Sequence, residues 1–260
     1  MYAKLLNNLE ILKLEKMYSY IPTYLDIVAK DETSVLDALV HLTEKEIKHK
    51  NEMASKIQIS VAGFPFVKKL DEFNFDFQPA INKSQIKDLG SLRFIEKKEN
   101  ILFFGTPGVG KTHLAVSIGI EAASKRQLTY FISCHDLIQN LRKAYHENRL
   151  ETRLKHYSKY KVLIIDEIGY LPVDQLGANL FFQLITKRYE HNSTIITTNQ
   201  PFSKWADVFS DATLANAILD RLLHHSHIIK IVGPSYRTKD VMDYMVDNKT
   251  MRKESSLNLR

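Results

Sequence analysis

The stretch Gly105-Thr106-Pro107-Gly108-Val109-Gly110-Lys111-Thr112 fits the spacing G-x-x-x-x-G-K-[ST] at every fixed position. The chemistry this spacing serves is the holding of a triphosphate. Glycines let the backbone curl until successive N–H groups face one anion, and a following helix adds the partial positive charge of its N-terminus. Lys111 is expected to reach the β- and γ-phosphates as a mobile charge, with the Thr112 hydroxyl as a magnesium ligand. Together with His113, the residue that follows, this run forms the expected nucleotide-binding segment. Its context agrees: residues 100–104 read as a short buried strand entering the loop, and residues 113–123 carry apolar side chains at helical spacing.

A second constellation says how the triphosphate is used. Residues 161–167 form an apolar run closed by Asp166 and Glu167, which reads as a buried parallel strand whose carboxyl end faces the nucleotide. Asp166 would hold magnesium, and Glu167 could orient and deprotonate a water, so the pair points to hydrolysis rather than transfer to a metabolite. A third apolar strand, 193–198, ends in Asn199. Its amide could hold the attacking water or sense the γ-phosphate, or it could form the turn before Gln200-Pro201.

Two arginines follow. Arg221 stands near the end of a helical segment, where it could cross a subunit boundary to stabilise charge on a neighbour's γ-phosphate, or favour its own helix dipole. Arg237 is a candidate phosphate sensor or a DNA-backbone contact. A basic stretch lies upstream: Arg142, Lys143, Arg149, Arg153, Lys155, Lys159 and Lys161 stand against only Glu147 and Glu151. Read as one helical element, that density is an electrostatic footprint for nucleic-acid phosphate. Tyr145, His146, His156, Tyr157 and Tyr160 are interleaved with it and could touch sugars or bases, or pack inward. With no base-reading motif visible, DNA contact is expected to be largely independent of sequence.

The elements that must position these residues can be read in outline. From about residue 80 helices alternate with strands near 101–104, 128–133, 162–166, 194–198 and 228–232, giving an α/β fold with a parallel sheet covered on both faces. Ahead of it, Leu5, Leu9 and Leu12, then Val35, Leu39 and Leu42, recur at helical spacing. With 8 Lys against 9 Asp plus Glu in residues 1–60, this module suits protein contact better than DNA. The connector contains Gly63 and Pro65, and Phe73, Phe75 and Phe77 alternate as an extended segment would while anchoring it to the core. The full chain of 260 residues has a net charge of +6, which makes an acidic partner plausible. Its single cysteine, Cys134, excludes an internal disulfide and a zinc knuckle. There is neither a signal-peptide core nor a membrane-length apolar run, so a cytoplasmic location and no membrane partner are expected.

Taken together, the phosphate loop, residues 163–172, 177–185, 188–191, 197–202, 217–225 and 235–237 resemble the IstB family. These are helper ATPases of bacterial insertion sequences, related to the helicase loader DnaC within the AAA+ superfamily. The resemblance implies an AAA+ core with sheet order 5-1-4-3-2. ATP and Mg2+ would be held by Lys111, Thr112, Asp166 and Glu167, with Asn199 as first sensor and Arg221 as the finger acting in trans. It further implies a homo-oligomer assembled with ATP on double-stranded DNA to assist a partner transposase. The implied organisation is 1–62 for partner binding or oligomerisation, 63–98 as connector and start of the core, 99–242 as the ATPase core, and 243–260 as a polar tail. After Arg237 no complete AAA+ lid bundle is legible. A DnaC-type loader would differ in engaging a helicase and single-stranded DNA. A small-molecule kinase would need a substrate lid and no DNA.

Overall fold

The computed structural model describes residues 1–30 and 33–238; the expected polar tail lies outside the described residues. The chain divides into two compact units, Met1–Gln58 and a second beginning at Ile59.

The first unit is helical: α1 (Tyr2–Ile11), α2 (Glu15–Lys30) and most of α3 (Val35–Val61). Its small core gathers Leu9, Met17, Ile21, Tyr24 and Leu42. Glu46 is buried there, and its carboxylate accepts the N–H groups of Lys16 at 2.8 Å and Met17 at 3.0 Å. Those N–H groups open α2 and have no partner within the helix, so a negative charge at this end satisfies both the donors and the dipole. Helical spacing gave the right element type but not the right face. Of the six apolar residues in the repeat, Leu9 and Leu42 are buried, whereas Leu5, Leu12, Val35 and Leu39 are exposed within this unit.

In the second unit α4 (Lys83–Gly90) and α5 (Arg93–Glu96) precede a five-stranded sheet. Its strands are β1 (Asn100–Gly105), β2 (Thr129–Ser133), β3 (Val162–Ile168), β4 (Ser193–Thr198) and β5 (Ser226–Ile231). All neighbours are parallel in the order β2-β3-β4-β1-β5, which is the order implied by the family resemblance read from the other edge. Successive strand residues point to opposite faces, so each central strand feeds two cores. Ile101, Phe103, Ile164 and Ile195 pack with Ile86, Phe94, Leu114 and Ile118, beneath α4, α5 and α6 (Lys111–Ser124). Leu102, Leu163, Ile165 and Ile196 pack against the other helices: α7 (Cys134–His146), α8 (Leu150–Ser158), α9 (Gln175–Arg188), α10 (Trp205–Val208) and α11 (Ala212–Leu223).

Two expectations are corrected here. The basic stretch is two helices, α7 and α8, separated at Glu147–Arg149, where Asn148 adopts φ +54°. Asparagine tolerates this left-handed geometry, and a helix commonly stops there. The segment with Phe73, Phe75 and Phe77 is not extended. It follows a 3-10 turn at Leu70–Glu72 and continues in turns, with the Asn74 Oδ1 accepting the Phe77 N–H at 3.0 Å. Its anchoring role holds, since Phe73 is buried among the core residues beneath α6.

Candidate nucleotide site

β1 delivers the chain into the phosphate loop, and α6 begins at Lys111, directly after the last loop glycine. Two glycines are required by what surrounds them. Gly108 has φ +82°, and a Cβ there would lie 2.0 Å from the Ser235 Oγ; Gly110 has φ +101°, and a Cβ would lie 2.6 Å from the Phe73 ring. Thus the loop is braced from below by the connector and from the side by the segment after β5, whose Tyr236 N–H donates to the Gly108 carbonyl at 2.9 Å. Left-handed backbone and missing side chains leave the loop N–H groups free to face an anion.

Lys111 donates from Nζ to the carbonyls of Gly105 and Thr106, each at 2.8 Å. Burial holds its pKa below the ordinary value; Arg237 pushes the same way, while Asp166 and Glu167 oppose. Its ammonium is therefore poised for a strong anion. The Thr112 hydroxyl donates to Asp166 at 3.0 Å, and the Thr197 hydroxyl donates to the same carboxylate. Burial still lifts the Asp166 pKa, aided by Glu167, against those two hydroxyls and Lys111. A buried carboxylate served only by neutral donors and one lysine is undersupplied with positive charge. Its paired oxygens with the Thr112 hydroxyl form the hard donor set that suits Mg2+.

Glu167 sits at an irregularity in β3, between Ile165 and Ile168 in the pairing with β4, with φ +62°. For a residue other than glycine this geometry costs energy and is held by its surroundings. Here the Glu167 N–H donates to the Thr197 Oγ1 at 2.9 Å. The bulge re-aims the chain, leaving Asp166 buried and Glu167 exposed on adjacent residues.

A cavity of about 340 Å³ collects these groups, within the range of small-molecule sites. Pro107 to His113, Glu167, Asn199 and Arg237 all line it. Gly105, Thr106 and Asp166 stand immediately behind, bonded to Lys111 and Thr112. Sequence reasoning missed the floor: Phe66, Lys68, Glu72, Phe73, Asn74 and Gln78 also line the cavity. The alternating phenylalanines were the available signal. His113 meets Phe66 and Phe73 edge-on, at ring-centroid distances of 6.2 and 5.3 Å, and burial with nearby Lys68 keeps its pKa low. Its Nε2 is buried without a hydrogen-bond partner among the described residues.

Arg221 is not brought to this cavity. It donates to the Ala217 carbonyl at 3.0 Å and lies over the Phe182 ring, 4.6 Å from the centroid, against α9.

The basic residues fare unequally. Arg142 is paired with Asp174, the residue that also caps α9; Arg149 is paired with Glu147. Lys155 shares Glu151 with Lys187. Lys143 and Arg153 make no ion pair among the described residues. Tyr157 and Tyr160 are buried, and Tyr160 stacks on Tyr130 at 5.0 Å, so neither faces a nucleic acid; Tyr145 is exposed. One structural cation was overlooked. Arg188 is wholly buried and donates to the carbonyls of Tyr157 and Tyr160, both at 2.9 Å, and to Thr194 Oγ1 at 3.0 Å. It ties the end of α8 to β4, and burial brings its pKa down to about 9.

A glycine-braced loop with lysine, threonine and paired acids at one cavity is the arrangement of an ATP-binding site, and the description "IstB-like ATP binding protein" matches residues 7–243. The chain belongs to this family. It is 57% identical to the ATP-binding protein of insertion sequence IS232 from Bacillus thuringiensis subsp. berliner, over 92% of this chain and 96% of that protein. To that of IS21 from Pseudomonas aeruginosa it is 42% identical, over 88% and 86%. Among solved structures, the DnaC helicase loader superposes with TM-score 0.53 at 26% identity, covering 67% of this chain and 99% of that one. AMPPCP-bound DnaA from Aquifex aeolicus shares the fold, with TM-score 0.54 at 18% identity over 69% and 55%. The fold of this IstB-like chain is thus that of the AAA+ proteins. No helix among the described residues is long and apolar enough to cross a membrane.

Proposed function

We propose that this IstB-like protein is a Mg2+-dependent ATPase that assembles as a homo-oligomer on duplex DNA and assists a partner transposase. The carrying observation is the division of the charged groups. Lys111, Thr112, Glu167, Asn199 and Arg237 surround one cavity, whereas Arg221 stands apart on α11. In this reading the loop N–H groups and Lys111 bind the phosphates, and Thr112 and Asp166 hold Mg2+, which supplies charge neutralisation on the phosphate oxygens. Glu167 takes the proton of the attacking water, and Asn199 orients that water. Arg237 senses the nucleotide from the segment that braces the loop, and Arg221 completes a neighbour's site. Lys143 and Arg153 are the leading phosphate contacts on DNA, with Arg149 and Lys155 beside them once their acidic partners are displaced.

The insertion-sequence relatives support the transposition role over helicase loading, since they match at 57% and 42% identity over 92% and 88% of this chain, against 26% over 67% for the DnaC loader. The test is ATP-dependent assembly on duplex DNA, followed by light scattering and gel shift. Wild-type chain should assemble only with ATP and Mg2+, and Lys111→Ala should not. Assembly by Lys111→Ala that still requires ATP would overturn the assignment of the loop.

A further inference from the structure

Outside the nucleotide cavity, one cluster joins three metal-binding side chains from two elements. α9 ends at Arg188, and Glu190 follows with φ +59°, turning the chain back. α11 ends at Leu223, and His224 and His225 come next. Consecutive residues of a continuing helix would project about 100° apart. Here His224 keeps helical backbone angles, yet the two imidazole rings lie with centroids 4.0 Å apart. One ligand atom from each of Glu190, His224 and His225 lies within 4.8 Å of the others, and all three side chains are exposed. The His224 Nδ1 is 3.9 Å from the Glu190 carboxylate and 2.7 Å from the Tyr189 hydroxyl.

We propose that Glu190, His224 and His225 form a binding site for a transition-metal dication of the zinc class. Two imidazoles and one carboxylate are the donor set for Zn2+ rather than for Mg2+, which takes oxygen ligands. Metal–ligand distances of about 2.0–2.2 Å require the donor atoms to close by roughly an ångström, which exposed side chains achieve by rotation. With His224 Nδ1 held by the Tyr189 hydroxyl, Nε2 is the nitrogen left to ligate the metal, and Tyr189 is the outer partner that orients the ring, as ligating histidines generally require. Three protein ligands leave a coordination position for water. None of the three lines the nucleotide cavity, so this site is separate from that of Mg2+. An ion here would join the ends of α9 and α11, the two helices between which Arg221 is held.

The test uses the full chain, stripped with chelator and titrated with Zn2+ alone against a chromophoric competitor, then with Co2+ for its absorption bands. The chain has ten histidines, so variants must separate this site from scattered ones. Expected are one Zn2+ per chain, at least tenfold weaker binding in Glu190→Gln and in His225→Gln, and no stoichiometric binding in the double variant His224→Ala/His225→Ala. Tyr189→Phe should weaken binding by about 10–100-fold while keeping the one-to-one stoichiometry. Without metal, the thermal unfolding of each variant should match wild type, because all three ligands are exposed. Absence of stoichiometric Zn2+ binding, or binding that survives the double histidine variant, would overturn the site.

Discussion

The phosphate loop and the α7–α8 pair are both read here as partners of phosphate, yet they are built on opposite principles. In the loop, recognition lies in the backbone: Gly108 and Gly110 occupy positions that a side chain could not share with Ser235 and Phe73. In α7 and α8 it lies in long side chains, and several of those are engaged elsewhere in the fold. Arg142 is turned to Asp174 and Arg149 to Glu147, so a count of basic residues overstates the free charge. Backbone cradles are therefore legible from spacing, whereas a charged surface becomes legible only once its pairing is known.

The comparison breaks most sharply at the acids that complete the loop. Glu167→Gln should retain ATP and Mg2+ but lose about 10²–10⁴-fold in phosphate release, the usual contribution of a positioned base. Near-wild-type turnover would remove Glu167 from the mechanism. Asp166→Asn should also abolish turnover, and it should raise stability. Burial raises the Asp166 pKa, so the folded chain holds that proton more tightly than the unfolded chain. This contribution favours folding at acidic pH and is lost as pH rises through the raised value, leaving a costly buried charge at neutral pH. Without nucleotide, the melting temperature of Asp166→Asn at pH 7 should exceed that of wild type by about 2–4 °C, as a change of about 1 kcal/mol gives in a domain of this size. The gap should narrow as pH falls.

Smaller effects sharpen the basic side of the comparison. Replacing Lys143 and Arg153 together by Ala should flatten the salt dependence of DNA affinity by about two units of log–log slope, at about 0.9 per contact. Arg142→Ala should leave that slope unchanged while lowering stability, because it leaves Asp174 without its cation. Fluorescence anisotropy over a range of salt concentrations measures both. Equal slopes for wild type and the double variant would move the DNA surface elsewhere, with the segment around Arg237 next in line.

How much the sequence disclosed follows the same division. Strand positions and the loop were legible because buried parallel strands read as unbroken apolar runs and the glycine spacing is fixed. Strand order came from the family resemblance, since spacing does not encode which strands adjoin. The cavity floor at Phe66–Gln78 was read as a connector, because the alternation of Phe73, Phe75 and Phe77 suggested an extended segment where the chain runs in turns. The break at Asn148 had a signal, an asparagine within a polar triplet, but the run of charge hid it. Glu167 carries a left-handed backbone where only glycine would be anticipated, and the helical repeat of the first unit could not say which side of α3 meets its neighbours.

The central claim is that one chain's cavity is completed by another chain's arginine, because Arg221 is held against Phe182 rather than at its own phosphate loop. The most direct measurement is phosphate release from mixtures of Arg221→Ala subunits, whose loops are intact, with Lys111→Ala subunits, whose arginines are intact. Each variant alone should be inactive, and mixtures shown to co-assemble should recover part of the wild-type rate, greatest near equal proportions. No recovery in co-assembled mixtures would contradict a shared site and leave Arg221 as a residue of its own helix.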